Sequence, residues 1–466
     1  MQRTLSAALD YVPRWLAFQM QLHRQPGCSV AIAFDGEPVL EAAFGHADAT
    51  RGTAMTPRHR FRVASHSKTF TAAGIMRLRD AGRLRLDDPI GRTLGGLPDA
   101  VGRLSFAQLM SHSGGLVRDG ADAGQWLGRR RFKSAHEILE DLAVPAPLAP
   151  STRFKYSNHG YALLGMAIEA IAGEPWSDWI AREVIGAAGL TETLPDAPLP
   201  RGLPFARGHS ALLPLGERVA LAGDEPAGAV APAGGVVSTA ADLARFYAGL
   251  DPAARRSVLS VDARHEMMRR LWPDPDSSLA RWYGLGTMSG TLGGGAAPAW
   301  DWFGHSGVFP GYMTRSACLP GRRLAVSVLT NAADGLCQQW LDGVVQILRH
   351  FDAGGAPSRR AASWTGRWWT AWTAVDLLPM GDRVTVALPA QFDPFVDAAS
   401  LSPGARRAGV ASATVERDTG FGRHGEPARL EHDTTGRPTA LWLGGTQFVS
   451  QAQASRDLRR RAVRPG

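Results

Sequence analysis

Apolar and polar positions alternate along the chain with two different periods, one typical of strands and one typical of helices. Their order predicts strands at both ends of the first 351 residues. Alternation with a period of two predicts strands Cys28–Phe34 and Val39–Phe44, joined by the hairpin-forming dipeptide Asp35-Gly36. Strand-like runs return at Met313–Leu319 and Leu324–Asn331. The helical patterns are Leu5–Leu22, Ser65–Ala81, Ala135–Leu142, Gly160–Ala172 and Cys337–His350. We therefore expect an α/β fold of the α+β type, with one antiparallel sheet flanked by helices and the ends of this part meeting on the sheet.

The pattern changes after Asp352–Ser363, a segment rich in small residues, glycine and charge that is typical of a linker. Short strand-like runs follow, separated by glycine and proline turns, which predicts a small antiparallel β-barrel or sandwich. These runs are Trp364–Trp372, Arg383–Leu388, Ala411–Glu416, Ala428–His432 and Thr439–Val449. A chain of 466 residues is also too long for one compact core. We predict a first domain at residues 1–351, a linker at 352–363, and an all-β barrel-like domain with a basic tail at 364–466.

Composition narrows the class of protein. Hydrophobic residues make up 44% and charged residues 20% of the chain, which is typical of a globular protein. No apolar run is long enough for a membrane helix, and the stretch Met1–Met20 is too interrupted by polar residues for a secretory signal. The three cysteines lie far apart, which suits a reducing compartment and argues against a disulfide framework or a zinc site. We expect a cytoplasmic protein with no metal or cofactor and no membrane partner.

The net charge of +8 comes from scattered arginines rather than from a basic groove. The dense basic runs are short, Arg129–Lys133 and Arg456–Arg464, whereas a binding groove would cluster basic and aromatic residues, so no nucleic-acid partner is expected. Of the 51 basic residues, only Lys68, Lys133 and Lys155 are lysines. Arginine keeps its proton in a protein, whereas lysine can lose it. A lysine that remains in such a chain is therefore a candidate for proton-transfer chemistry.

Ser65 and Lys68 form the first candidate site. Lys68 lies one helical turn after Ser65 on the same face, so its amine could take the proton of a hydroxyl that is otherwise a poor nucleophile. The next residues, Thr69–Met76, are small or apolar on every side, which predicts a buried helix rather than a capped surface helix. The N-terminus of such a helix also offers N–H groups to a developing oxyanion.

Two further segments could complete this site. The first carries Tyr156, whose phenol near a cation could act as a base, and Asn158, whose amide is both donor and acceptor. The second, His305–Val308, has a glycine at Gly307 that allows close approach to an edge strand, and the N–H of Val308 could pair with that of Ser65 as an oxyanion hole. The same letters HSG occur at His112-Ser113-Gly114. Because that copy follows a helix end, we expect it only to turn the chain.

In this order, the SxxK, YxN and HxG motifs resemble those of the penicillin-recognising serine hydrolases: class C β-lactamases, D-aminopeptidases, DD-carboxypeptidases and β-lactamase-fold esterases. The likeness covers about Pro26–His350 and includes Leu109–Leu116, Ala233–Leu243 and Tyr283–Gly286. The resemblance implies a β-lactamase/transpeptidase-like fold. It also implies that Ser65 is the acylated nucleophile, that Lys68 and Tyr156 shuttle its proton, and that Asn158 holds the substrate and orients Lys68.

The third motif departs from the β-lactamase pattern and shapes the expected function. Class C β-lactamases have a lysine where this chain has His305, and that lysine helps to hold the carboxylate of the drug. A histidine there is similar to D-aminopeptidases and some esterases. The resemblance thus implies a D-aminopeptidase-like amide or peptide hydrolase acting on a small molecule or short peptide, with a short-chain carboxylesterase and then a β-lactamase as alternatives. A homodimer is left open.

A degenerate family member kept as a scaffold or interaction protein is the alternative from another class. The four residues Ser65, Lys68, Tyr156 and His305 are all intact. A relaxed site would be expected to have lost one of them, so the sequence favours an active enzyme.

Overall fold

The chain forms two compact units that are interleaved in sequence. The structure, a computed structural model, describes residues 2–213, 215–275, 277, 280–293, 298–407, 410–418 and 422–462. Arg24–Leu292 and Ala299–Leu341 form the larger unit, and Met1–His23, Gly293–Pro298 and Asp342–Gly466 form the barrel unit. The first helix, α1 (Gln2–Leu22), therefore belongs with the C-terminal strands. The domain boundaries predicted from the sequence stay a proposal, and the last residues of the predicted basic tail, 463–466, lie outside the described residues.

The larger unit is built on one antiparallel sheet. Its strands are β1 (Gly27–Phe34), β2 (Glu37–Asp48), β3 (Thr53–Ala54), β4 (Phe61–Arg62), β5 (Val237–Ser238), β6 (Trp272–Pro273), β7 (Arg281–Tyr283), β8 (Met288–Leu292), β9 (Trp300–Phe309), β10 (Tyr312–Leu319) and β11 (Leu324–Thr330). Within the described ranges, nine of them form a sheet in the order β3-β2-β1-β11-β10-β9-β8-β7-β6, and β4 pairs with β5. Asp35 and Gly36, with φ of 54° and 83°, make the predicted hairpin turn.

The pairing of β1 with β11 confirms that the first and last strands of this unit meet on the sheet. The two strands run antiparallel, from Cys28 opposite Thr330 to Phe34 opposite Leu324. Almost every residue of both strands is buried, as expected for strands covered on both faces. The third motif lies on β9, which pairs with β10 in the middle of this sheet.

Helices fill the middle of the larger unit, as predicted. They are α2 (Ser67–Asp80), α3 (Asp99–Gly102), α4 (Phe106–Met110), α5 (Ala135–Leu142), α6 (Asn158–Ala172), α7 (Trp176–Ile180), α8 (Ala231–Gly234), α9 (Ala240–Gly249) and α10 (Val261–Met267), followed by α11 (Cys337–Gly354), which contributes residues to both units. α2 is buried over most of its length, which confirms the expectation from the small or apolar residues that follow Lys68. α6 begins at the cap residue Ser157 and ends at Gly173, whose φ of 79° closes the helix. No helix among the described residues is both long and apolar enough to cross a membrane.

Among its described residues, the barrel unit contains a closed barrel of eight antiparallel strands in sequence order. The strands are β12 (Gly366–Trp369), β13 (Ala374–Met380), β14 (Arg383–Ala387), β15 (Ala399–Arg407), β16 (Val410–Arg417), β17 (Pro427–His432), β18 (Pro438–Leu443) and β19 (Thr446–Val449), and helix α12 (Gln451–Arg461) follows them. Trp364 and Trp368 lie in its core, whereas Trp372 is 90% exposed at a hairpin tip. Within this unit, α1 contacts the barrel segment through Tyr11, whose hydroxyl donates to Asp376 Oδ2 at 2.9 Å.

Candidate active site

Ser65 lies in a tight turn immediately before α2 rather than at the first residue of that helix. The turn is a 3-10 helix at Ala64–His66, and Ala64 has φ of 50°, a left-handed conformation that non-glycine residues rarely adopt. Ser67 holds the turn, because its hydroxyl donates to Ala64 O at 2.6 Å and accepts the N–H of Val236 at 2.9 Å. Strain at such a position is found at functional sites, where it aims a side chain.

Lys68 is fully buried, and its amine lies among three oxygen atoms. Nζ is 3.2 Å from Ser65 Oγ, and it donates to Asn158 Oδ1 at 2.7 Å and to Ala233 O at 2.8 Å. The SxxK spacing thus brings the amine to the hydroxyl, as predicted. The YxN motif and the Ala233–Leu243 segment supply the other two oxygens.

Tyr156, just before helix α6, contacts the same hydroxyl of Ser65. Its OH donates to Ser65 Oγ at 2.8 Å, and Lys68 Nζ lies 4.7 Å from the centre of its ring. Burial raises the pKa of Tyr156 above the ordinary value of a phenol. Burial outweighs the nearby positive charge and favours the neutral phenol, and the role of Tyr156 as a base stays a prediction. Tyr156 is a neutral phenol that donates a hydrogen bond.

The environment of Lys68 favours the neutral form of its amine. Burial lowers the pKa of Lys68 well below the ordinary value of a lysine, and the positive charge of Arg118 adds to that effect. A neutral amine has two N–H bonds and one lone pair. Asn158 Oδ1 and Ala233 O take the two N–H bonds, so the lone pair is left for the hydroxyl of Ser65. This geometry is that of a general base at a serine hydroxyl.

The third motif lies within strand β9, which passes against the turn of Ser65. A Cβ on Gly307 would lie only 2.1 Å from Val63 O, so glycine is needed for this close approach. The pairing of β8 with β9 stops at Gly304, which leaves the stretch from His305 onward as an edge on that side. Val308 is 60% exposed. The use of its N–H as half of an oxyanion hole stays a prediction.

His305 itself is buried, and both of its ring nitrogens have partners inside the protein. Nδ1 donates to Ser306 O at 2.7 Å, so Nε2 accepts from the hydroxyl of Tyr283 at 3.0 Å. Burial and the neighbouring His66 hold the pKa of His305 well below its ordinary value. The imidazole is neutral and offers no charge to a substrate carboxylate. A direct contact between its ring and the substrate stays a prediction.

Two residues that the sequence did not predict support the site. Asp119 Oδ1 accepts from Asn158 Nδ2 at 2.6 Å and from Trp126 Nε1 at 2.8 Å. His112, expected only to turn the chain, does so with φ of 57°, but its ring also packs 4.2 Å from that of Tyr156. Neither residue has a motif spacing of its own, so no signal beyond the quoted likeness around Leu109–Leu116 could have found them.

Known families and proteins provide an independent comparison. The family model described as Beta-lactamase matches residues 12–337 of the chain. Penicillin-binding protein 4 of Amycolatopsis lactamdurans is 30% identical over 324 residues, which cover 66% of this chain and 81% of that protein. Within the described residues, no group of three or more His, Cys, Asp or Glu side chains is placed to hold a metal ion.

Solved structures have the same fold. The octameric penicillin-binding protein homologue from Pyrococcus abyssi gives a TM-score of 0.63 at 20% identity, covering 95% of this chain and 99% of that one. D-amino acid amidase from Ochrobactrum anthropi SV3, complexed with L-phenylalanine, gives 0.63 at 24% identity, covering 74% of this chain and 98% of that one. At these identities the likeness shows the fold alone. It confirms the predicted fold class, which the structure completes with a closed C-terminal barrel.

Proposed function

This chain belongs to the Beta-lactamase family, and from that membership we propose that it is a serine hydrolase that cleaves an amide or ester bond through an acyl-enzyme on Ser65. One observation carries the proposal: two proton carriers converge on one hydroxyl. Tyr156 OH lies 2.8 Å and Lys68 Nζ 3.2 Å from Ser65 Oγ. The scaffold alternative does not require such an arrangement, because binding needs no base at a hydroxyl.

Acylation follows from the protonation states of these groups. Ser65 Oγ attacks the carbonyl carbon of the substrate, and its proton passes to the lone pair of Lys68 Nζ. The carbonyl π electrons move to the carbonyl oxygen, where the N–H groups of Ser65 and Val308 would stabilise the charge. When the intermediate collapses, the bond to the leaving nitrogen or oxygen breaks, and that atom takes a proton from Lys68 by way of the Tyr156 hydroxyl. Water then repeats the sequence on the acyl-enzyme, which releases the acid and restores Ser65.

The substrate class that the site supports best is a D-amino-acid amide or short peptide, with a short-chain ester as the second candidate. A β-lactam or DD-peptide carries a carboxylate beside the bond that is cleaved, and the neutral His305 gives that group no charge partner. Amides with a free amine and neutral esters carry no such carboxylate, so a neutral His305 does not weaken their binding. A protein that shares the fold, from Ochrobactrum anthropi SV3, is named a D-amino acid amidase, and this name is in line with the proposed substrate class.

A panel of chromogenic substrates tests this assignment. It comprises the p-nitroanilides of D- and L-alanine, p-nitrophenyl acetate and butyrate, and nitrocefin, compared by kcat/KM. We expect the D-alanyl anilide or the short esters to exceed nitrocefin by about tenfold or more, the effect of one lost exposed charge contact. If nitrocefin is the best substrate, the argument from His305 is wrong and the β-lactamase alternative takes first place.

Self-association and a cytoplasmic location complete the proposal. The homologue from Pyrococcus abyssi is described as octameric, which supports an oligomer here, a homodimer being the simplest case. The three cysteines are buried thiols that are not joined in disulfides, which fits a reducing compartment. Light scattering coupled to size-exclusion chromatography measures the mass, and a monomer over a wide concentration range would refute the first point.

A further inference from the structure

The amide of Asn158 can face in only one direction, and Asp119 is the reason. Asn158 Nδ2 donates to Asp119 Oδ1 at 2.6 Å, so Oδ1 of the same amide is turned toward Lys68 Nζ, 2.7 Å away. A carboxylate only accepts hydrogen bonds, so a flipped amide would place two acceptors against each other and two donors at the lysine. Both Asp119 and Asn158 are buried, where such a mismatch is costly.

We propose that Asp119 is a positioning residue that, through Asn158, aligns the Lys68 amine with Ser65 and places a negative charge close to that amine. The inference rests on the proposed function, because it concerns the base of that reaction. Asp119 does not touch Ser65 in the structure. It acts through the amide of Asn158 and through its charge.

The electrostatic part follows from what surrounds Lys68. The titratable and charged groups that face it are Tyr156, Tyr161, His112, His305, Arg118 and Asp119. The tyrosines and histidines are neutral because burial disfavours their charged forms. That leaves two charges of opposite sign: Arg118, which lowers the pKa of Lys68, and Asp119, which raises it against the larger effect of burial. Without Asp119 the amine would accept the proton of Ser65 less readily.

Asp119 is held in place by a second lysine. Lys133, buried like Lys68, donates to Asp119 O at 2.9 Å and pairs with Asp141, which also binds His159 Nε2 at 2.7 Å. Lys133 therefore has a structural reason to be a lysine, one that does not involve proton transfer. Its compact ammonium group bridges a carbonyl and a carboxylate. Trp126 Nε1 fixes the side chain of Asp119 from another direction. The carboxylate is therefore built into the fold rather than free to move.

The test is the pH dependence of Ser65 modification in three variants. The rate of labelling by a fluorophosphonate should fall as the pH drops through the pKa of Lys68, because only the neutral amine accepts a proton. Asp119→Asn removes a negative charge no more than about 7.5 Å from Nζ, the length of two hydrogen bonds and one amide. The acid limb is the part of the pH profile where the labelling rate falls as the pH drops. At an effective dielectric constant of about 20, this limb should move down by about one to two pH units. The maximal rate should fall about tenfold or more, because the base is weaker.

Two matched variants fix the sign. Arg118→Gln removes the opposing charge, so its acid limb should move up, by less because the Arg118 side chain is 65% exposed. Asp122→Asn makes the same chemical change as Asp119→Asn on the same loop, but Asp122 is exposed and pairs with Arg130, so neither limb nor rate should change.

The outcomes separate this inference from the proposed function. If Asp119→Asn folds with an unchanged acid limb while the wild-type protein labels at Ser65, the role of Asp119 is wrong and the hydrolase proposal stands. If wild-type Ser65 does not label at any pH, the proposed function itself fails. Circular dichroism and the midpoint of thermal unfolding show whether Asp119→Asn is folded. Should it not fold, the upward shift in Arg118→Gln decides, and a limb that stays in place there overturns the electrostatic argument.

Discussion

Replacing Lys68 with arginine separates a lysine that transfers protons from one that merely carries charge. Arginine keeps a positive charge and hydrogen-bond donors at the same position. It cannot lose a proton in a protein, so it cannot accept the proton of Ser65. The substitution therefore removes the base and puts a permanent cation in its place. The proposed base is the neutral amine: burial lowers its pKa, and its two other contacts are acceptors for N–H bonds.

The magnitude has two sources. General-base catalysis by a positioned side chain contributes about 10²–10⁴-fold. A guanidinium also stays charged in a fully buried place, next to an Ala233 carbonyl and an Asn158 amide spaced for a compact amine. We expect kcat/KM for the best chromogenic substrate to fall by about three orders of magnitude or more, or about 4 kcal/mol in transition-state stabilisation.

The assay compares wild type, Lys68→Arg and Lys68→Met, the last of which removes charge and base together at similar length. Steady-state kcat/KM and the rate of fluorophosphonate labelling are measured for each, with thermal unfolding as the control for folding. Both variants should be inactive, since both lack the base. Turnover of Lys68→Arg within about tenfold of wild type, with Lys68→Met inactive, would show that the lysine acts only as a cation.

Three further variants address the remaining parts of the site. Tyr156→Phe removes the hydroxyl that donates to the nucleophile at 2.8 Å, and kcat should fall by about two to three orders of magnitude in the same assay with thermal stability retained. His305→Lys adds a positive charge where the imidazole is neutral, so the ratio of kcat/KM for nitrocefin to that for p-nitrophenyl butyrate should rise about tenfold; an unchanged ratio would contradict the charge argument. Gly307→Ala puts a Cβ 2.1 Å from Val63 O, so unfolding free energy should fall by about 1–3 kcal/mol, whereas Gly95→Ala, which meets nothing within 4 Å, should be neutral; equal effects would refute the close approach.

Much of the larger unit could be predicted because its local signals agree with its tertiary contacts. The dipeptide Asp35-Gly36 predicts the first hairpin, and the small or apolar residues after Lys68 predict a buried helix. The choice between the two HSG copies placed His112 correctly at a helix end, whereas His305 lies within β9, a strand that the pattern did not predict. It underestimated His112, because the letters say nothing about the aromatic ring of Tyr156 against which it packs.

The parts that could not be predicted depend on contacts distant in sequence. Strand β13 contains Asp376 and Pro379, two residues that disfavour strands. Asp376 is tolerated in a buried strand because Arg367, nine residues away, and Tyr11, 365 residues away, both bind it. Asp119 presents the same difficulty at the active site, since its partner Asn158 lies 39 residues further along the chain. Local patterns carry no record of such pairs.

The position of the covalent adduct tests the central claim most directly. The intact protein is incubated with a fluorophosphonate, digested, and mapped by mass spectrometry, with Ser65→Ala as the control. We expect one adduct, on the peptide that contains Ser65, at the residue whose Oγ faces both Lys68 Nζ and Tyr156 OH, and none in the variant. An adduct on Ser67, Ser113 or Ser306, with Ser65 unmodified, would contradict the account.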